Sequence, residues 1–93
     1  MLFRSHLIDD LSLKEVGARL ARHLLDLRRD GGAAVELDST KAVLANRLGT
    51  IAETLSRTLR KMQDRGLITV AGRRIVLDDV DGLEELAEGL ARL

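Results

Sequence analysis

Between Arg47 and Ile68 the chain reads RLGTIAETLSRTLRKMQDRGLI, an amphipathic stretch held between Gly49 and Gly66. No other feature restricts the fold as much. At about 100° per residue, Leu55, Leu59 and Met62 fall within about 60° of one another, and Glu53, Ser56, Arg57, Arg60 and Asp64 share the opposite side. The stretch is predicted to be a helix over about 51–65 with one buried and one exposed face. Gly66 stands where a left-handed C-cap residue belongs. Upstream, Ser39 or Thr40 caps a short helix that runs to about Leu48, where Gly49 breaks it. Two helices thus meet across about three residues that include a glycine, a helix-turn-helix arrangement.

The flanks extend this pattern. LITV and RIVL are β-branched apolar runs on either side of AGR, a hairpin with Gly72 at its turn. A hairpin directly after the second helix makes a winged helix-turn-helix: mainly α with a small β-hairpin wing. SLKE at Ser12–Glu15 reads as a capping box. Leu13, Val16, Leu20, Leu24 and Leu27 follow at helical spacing, and RRDGG closes a helix over about 12–29. AVEL, Ala34–Leu37, suits a short strand. Asp78, Asp79 and Asp81 supply turn and cap chemistry for a last helix with Leu83, Leu86, Leu90 and Leu93 on one side. The 93 residues suffice for one small domain, placed at 12–93, with 1–11 as a lead-in carrying Leu2, Phe3, Leu7 and Ile8.

Composition removes several function classes. Phe3 is the sole aromatic residue, so there is no stacking surface for single-stranded nucleic acid. Without Cys there is no disulfide, thiolate nucleophile or Cys-type zinc site. His6 and His23 lie 17 positions apart and make no metal motif. No phosphate-binding glycine loop is present, and no nucleophile stands beside an obvious base. The residues thus point away from an enzyme and imply neither metal nor cofactor. No apolar run reaches the roughly 20 residues that span a membrane, and the first ten residues lack the pattern of a signal peptide. The cytoplasm is the expected location.

The net charge is zero, but its distribution is uneven. Residues 39–77 carry eight cations against two anions, net +6, whereas 78–93 carry six anions against one cation, net −5. The basic segment coincides with the helix-turn-helix and hairpin, which suits double-stranded DNA. Arg can bond guanine O6 and N7 together, Glu can accept from the cytosine N4 amine, and Ser can do either. Glu53, Ser56 and Arg57 occupy the first two turns of the second helix, the end that recognition helices turn toward base edges. They are the candidate base contacts. Thr40, Lys41, Thr50, Thr54, Arg60, Lys61, Arg73 and Arg74 are the candidate phosphate contacts, with Arg47 beside them. TIAE, Thr50–Glu53, also reads as a capping box, a role Glu53 can combine with a base contact. The rival reading is a winged helix that binds another protein and no DNA. Arg57, Arg60, Arg73 and Arg74 on elements that would face DNA weigh against it.

LGTIAETLSRTLRKMQDRGLITVAGRRIVLDD resembles the DNA-binding domain of the cAMP-receptor-protein/FNR family of bacterial transcription regulators. The resemblance rests on Gly49, Glu53-Thr54, Ser56-Arg57, Leu59, Gly66-Leu67-Ile68 and Gly72, in order and at family spacing. VGARLARHLLDL, Val16–Leu27, is similar to the family's preceding helix. The resemblance covers about residues 11–88. It implies base contacts from Glu53, Ser56 and Arg57, and a TTGAT-like half-site of the FNR type. Two departures stand out. Ile51 occupies the place of the usual Ser, which moves the expected cap to Thr50. Ala52 replaces the further base-contacting Arg of the cAMP-receptor type. Full-length members carry a β-barrel sensor and a long dimerisation helix, so the resemblance implies a fragment of a larger regulator. Residues 1–11 would be a hinge or the end of that dimerisation helix. It also implies a dimer on DNA, a monomeric isolated chain, and RNA polymerase as a partner of the full-length regulator.

Overall fold

In the computed structural model, which describes the backbone of residues 2–28, 31–90 and 93 and the side chains of these from Glu15 onward, every predicted element is present. The order is α1 (Leu2–Leu27), β1 (Ala34–Glu36), α2 (Lys41–Arg47), α3 (Ala52–Asp64), β2 (Ile68–Ala71), β3 (Arg74–Leu77) and α4 (Val80–Ala87). The architecture is a winged helix-turn-helix, as expected.

Two boundaries differ from expectation. Helix α1 does not start at Ser12 but at Leu2, and it crosses positions 11 and 12 without a break. A capping box marks a start only where the chain before it leaves the helix. Residues 2–11 contain neither Gly nor Pro to force that exit. The lead-in and the domain therefore share one helix; the side chains of Leu2, Phe3, Leu7 and Ile8 lie outside the described residues. At the other end, α4 stops at Ala87. Asp79 caps it, its Oδ1 accepting from the Gly82 amide at 3.0 Å. Leu90 falls beyond the helix and is 75% exposed, so it does not continue the apolar stripe of Leu83 and Leu86. Leu93 packs back on the core. A Cβ on Gly17 would meet the Leu93 Cδ1 at 2.9 Å, so the chain end closes on α1 where α1 has no side chain.

The core follows from the two periodicities. Helix α1 contributes Val16, Leu20, Ala21 and Leu24, α2 contributes Leu44 and Ala45, and α4 contributes Leu83 and Leu86, all buried. Ile68, Ile75 and Leu77 enter from the sheet. Each such large side chain stabilises the fold by about 1.5–3 kcal/mol through burial. The sheet is antiparallel with β3 in the centre, in the order β1-β3-β2. AVEL is thus not a free strand: Val35 faces Ile75 and Glu36 faces Arg74 across the sheet.

Against this core lies α3, packed on α1, α2 and β2. Its buried side is broader than the stripe of Leu55, Leu59 and Met62, because Thr54 and Thr58 join it. Thr58 is fully buried, and its hydroxyl donates to the Thr54 carbonyl at 2.8 Å, which satisfies the polar group locally. His23 is half-buried, and its Nε2 is enclosed without a partner among the described residues.

Candidate nucleic-acid interface

The turn between α2 and α3 is built by backbone geometry. Thr40 caps α2, its Oγ1 accepting from the Val43 amide at 3.2 Å. After Leu48 the chain enters the left-handed region at Gly49, φ +80°, and the Thr50 amide returns to the Ala45 carbonyl at 2.8 Å. Glycine is the residue that adopts this φ without steric cost. Arg19 then pins the turn to α1: its Nη1 donates to the Leu48 carbonyl at 2.9 Å, across 29 positions of sequence. A Cβ on Gly49 would stand 3.0 Å from the same nitrogen. The glycine therefore serves the turn twice, by its φ and by leaving room for the guanidinium.

The start of α3 corrects the expected cap. Ile51, not Thr50, is the N-cap residue, with φ −110° and ψ 162°, and no side chain caps the helix. The TIAE capping box does not form. Thr50 is one residue too early, its amide is taken by Ala45, and Glu53 turns instead to Arg57. Ile51 is 60% exposed.

On the exposed side of α3, Glu53, Ser56, Arg57 and Arg60 line one shallow depression. The Arg57 Nη2 donates to the Glu53 Oε2 at 3.4 Å, between side chains that are 57% and 76% exposed. Such a pair contributes only about 0.3–0.5 kcal/mol to stability. Its consequence is orientation: the carboxylate steers the guanidinium over the first two turns, where both keep free polar atoms. Three donor and acceptor types thus stand side by side on one helix face, a set that can read base edges.

The remaining candidates are distributed around this face. Lys41 and Thr40 are exposed at the start of α2, Arg47 is exposed at its end, Thr50 is half-buried in the turn, and Lys61 is exposed on α3. Arg73 is exposed in the turn between β2 and β3, which begins with Gly72 at φ +65°, and Arg74 is exposed as the first residue of β3. Thr54 stands apart. It is 8% exposed and faces the core side of α3, so its hydroxyl is not on the surface that carries Glu53 and Arg57. Two residues that organise the region carried no signal in the sequence. One is Arg19. The other is Gln63, whose Oε1 accepts from the Val70 amide at 3.0 Å.

A helix-turn-helix followed by an antiparallel hairpin, with a polar second helix turned outward, defines a winged helix-turn-helix domain. The chain belongs to the Crp-like helix-turn-helix domain family of the CRP/FNR regulators: the family's sequence model matches residues 18–86. It is 34% identical over 73 residues to the probable transcriptional regulator flp of Lacticaseibacillus casei, covering 77% of this chain and 33% of that protein. It is 32% identical over 83 residues to the fumarate and nitrate reduction regulatory protein of Escherichia coli K12, covering 83% of this chain and 33% of that protein. Among solved structures it is similar to the catabolite activator protein of Thermus thermophilus, with a TM-score of 0.76 and 34% identity over 97% of this chain and 42% of that one. It is also similar to DNR of Pseudomonas aeruginosa, with a TM-score of 0.77 and 34% identity over 87% of this chain and 37% of that one. The chain spans about a third of the length of the curated relatives it matches. Among the described residues no helix is long and apolar enough to cross a membrane.

Proposed function

We propose that this domain binds double-stranded DNA sequence-specifically and acts in transcription regulation. The observation that carries the reading is the α3 face, where Glu53, Ser56, Arg57 and Arg60 lie together in one exposed depression. The regulators named above, which share its family, support the same reading. Helix α3 would enter the major groove of a TTGAT-like half-site, with Arg57 on a guanine, Glu53 on a cytosine amine and Ser56 on a neighbouring base edge. Thr40, Lys41, Thr50, Arg60, Lys61, Arg73 and Arg74 would lie along the phosphates. Buried Thr54 would act through the packing of α3 rather than through its hydroxyl.

The domain would work as the cytoplasmic DNA-binding part of a longer dimeric regulator that contacts RNA polymerase. Two copies would read a palindrome, and the sensed signal would belong to the rest of that regulator. The continuous helix α1 suits this arrangement, since it runs through residues 2–11 as the end of a dimerisation helix would. The reading is tested by fluorescence anisotropy on a TTGAT-containing palindrome and a scrambled duplex of equal length. Tighter binding to the palindrome is expected; equal affinity for both would remove the sequence-specific reading.

A further inference from the structure

The wing follows α3 after only three residues, and its base is firmly held. The Leu67 amide donates to the Met62 carbonyl at 2.9 Å, and Ile68 is buried at 2% exposure. Beyond Ile68, Val70 is the one residue of β2 whose side chain still packs on the core. Thr69 and Ala71 are exposed, Val70 is half-buried, and Gly72, Arg73 and Arg74 at the tip are exposed. The Thr69 hydroxyl bonds the Asp78 carboxylate at 2.6 Å, but that contact joins the wing to the segment after it and not to α3.

Gln63 bridges the gap. Strand β2 is an edge strand, and its Val70 amide donates to the Gln63 Oε1 at 3.0 Å rather than to a further strand. A backbone N–H can only donate, so the atom that faces it is the amide oxygen. Val70 pairs with Ile75, one register step before Ala71 pairs with Arg74. The bond therefore grips the wing next to its cationic tip. On α3, Gln63 lies one turn beyond Arg60, on the flank between the exposed face and buried Met62 and Leu59. A neutral acceptor makes this bond without adding negative charge to the basic segment 39–77.

We propose that Gln63 is a positioning residue that holds the wing at a set distance from α3, so that Arg73 and Arg74 engage the same duplex as the Glu53–Arg57 face. This rests on the DNA-binding reading above and adds to it the device that makes two contact surfaces one. A wing held in place contributes its phosphate contacts without first being ordered, whereas a free one must be ordered on binding.

The test combines hydrogen exchange with binding. Gln63→Met keeps the chain length and removes the acceptor; Gln63→Glu keeps an acceptor and adds a charge. In Gln63→Met the Val70 amide should exchange about tenfold faster, with Leu20 and Leu55 still protected as a sign of an intact core. Palindrome affinity should fall several-fold, and Arg74→Ala should cost less in this background than in the unaltered chain. Gln63→Glu should keep Val70 protected and keep the full cost of Arg74→Ala, while weakening binding more at low salt than at high salt. Unchanged Val70 exchange in Gln63→Met, or an equal cost of Arg74→Ala in both backgrounds, overturns the proposal. Failure of the unaltered chain to bind any duplex is a different result: it overturns the DNA reading itself, and the proposal with it.

Discussion

At the scale of single residues, the two kinds of cation on this domain should behave differently. Arg57 stands among groups that can read bases, with its guanidinium steered by Glu53 at 3.4 Å. Arg74 stands on an exposed wing, opposite Ala71 of β2 and Glu36 of β1, away from the α3 face that carries Glu53, Ser56 and Arg57. Arg57→Ala should therefore lower discrimination between a TTGAT duplex and a scrambled one by about 1–3 kcal/mol, with a smaller loss on the scrambled duplex. Arg74→Ala should weaken both duplexes alike and reduce the salt slope by about 1. Anisotropy titrations of the two variants on both duplexes, at two salt concentrations, separate these outcomes. A proportional loss on both duplexes for Arg57→Ala would place it among the phosphate contacts.

At the scale of elements, α3 begins without a side-chain cap, because Ile51 occupies the N-cap position. Ser at an N-cap accepts from an early helical amide, which Ile cannot do. Ile51→Ser should stabilise the domain by about 1 kcal/mol, a rise of about 4–8 °C in Tm for a chain of this size. Thermal unfolding followed by circular dichroism measures it, and a fall in Tm would show that the exposed isoleucine packs in a way its 60% exposure does not suggest. The preceding turn depends on α1. Arg19→Met keeps the aliphatic stem but leaves the Leu48 carbonyl without its donor. It should cost about 1 kcal/mol, read as a lower urea midpoint. Arg19→Lys, which keeps a charged donor, should recover part of that loss.

At the scale of the whole molecule, a chain with no net charge keeps net +6 on the segment that carries α2, α3 and the wing, and net −5 on the segment of α4. Binding should therefore depend steeply on salt. At about −0.9 per phosphate neutralised, some three to five contacts give a slope of log K against log salt of about −3 to −4.5 for one domain. Flat affinity between low and moderate salt would be incompatible with a phosphate-tracking wing. The isolated chain should also sediment as a monomer at tens of micromolar and bind a palindrome weakly. Leu83 and Leu86 are spent in its own core, and Leu93 is folded back on it. A stable dimer that binds the palindrome tightly would place a dimer interface within these 93 residues.

What the sequence alone determined is local in origin. Apolar spacing marked the buried stripe of α3, and Gly49, Gly66 and Gly72 marked the breaks, since a positive φ is a property of one residue. Polar residues opposite that stripe were legible for the same reason, so Glu53, Ser56, Arg57 and Arg60 emerged together. Tertiary structure alone decided the rest. Thr54 was drawn into the buried side because α3 is enclosed by α1, α2 and β2 at once, which widens its packed arc beyond the leucine stripe. The strand at Ala34–Glu36 acquired its place only when β3 offered an edge to pair with. Ser12 carried a start signal that went unused, because the residues before it could continue the helix. The bonds from Arg19 to Leu48 and from Gln63 to Val70 left no trace in any short window. Periodicity reports which side of an element is apolar; which polar atom meets which carbonyl or amide depends on how whole elements stack, and that is settled only when the chain closes on its core.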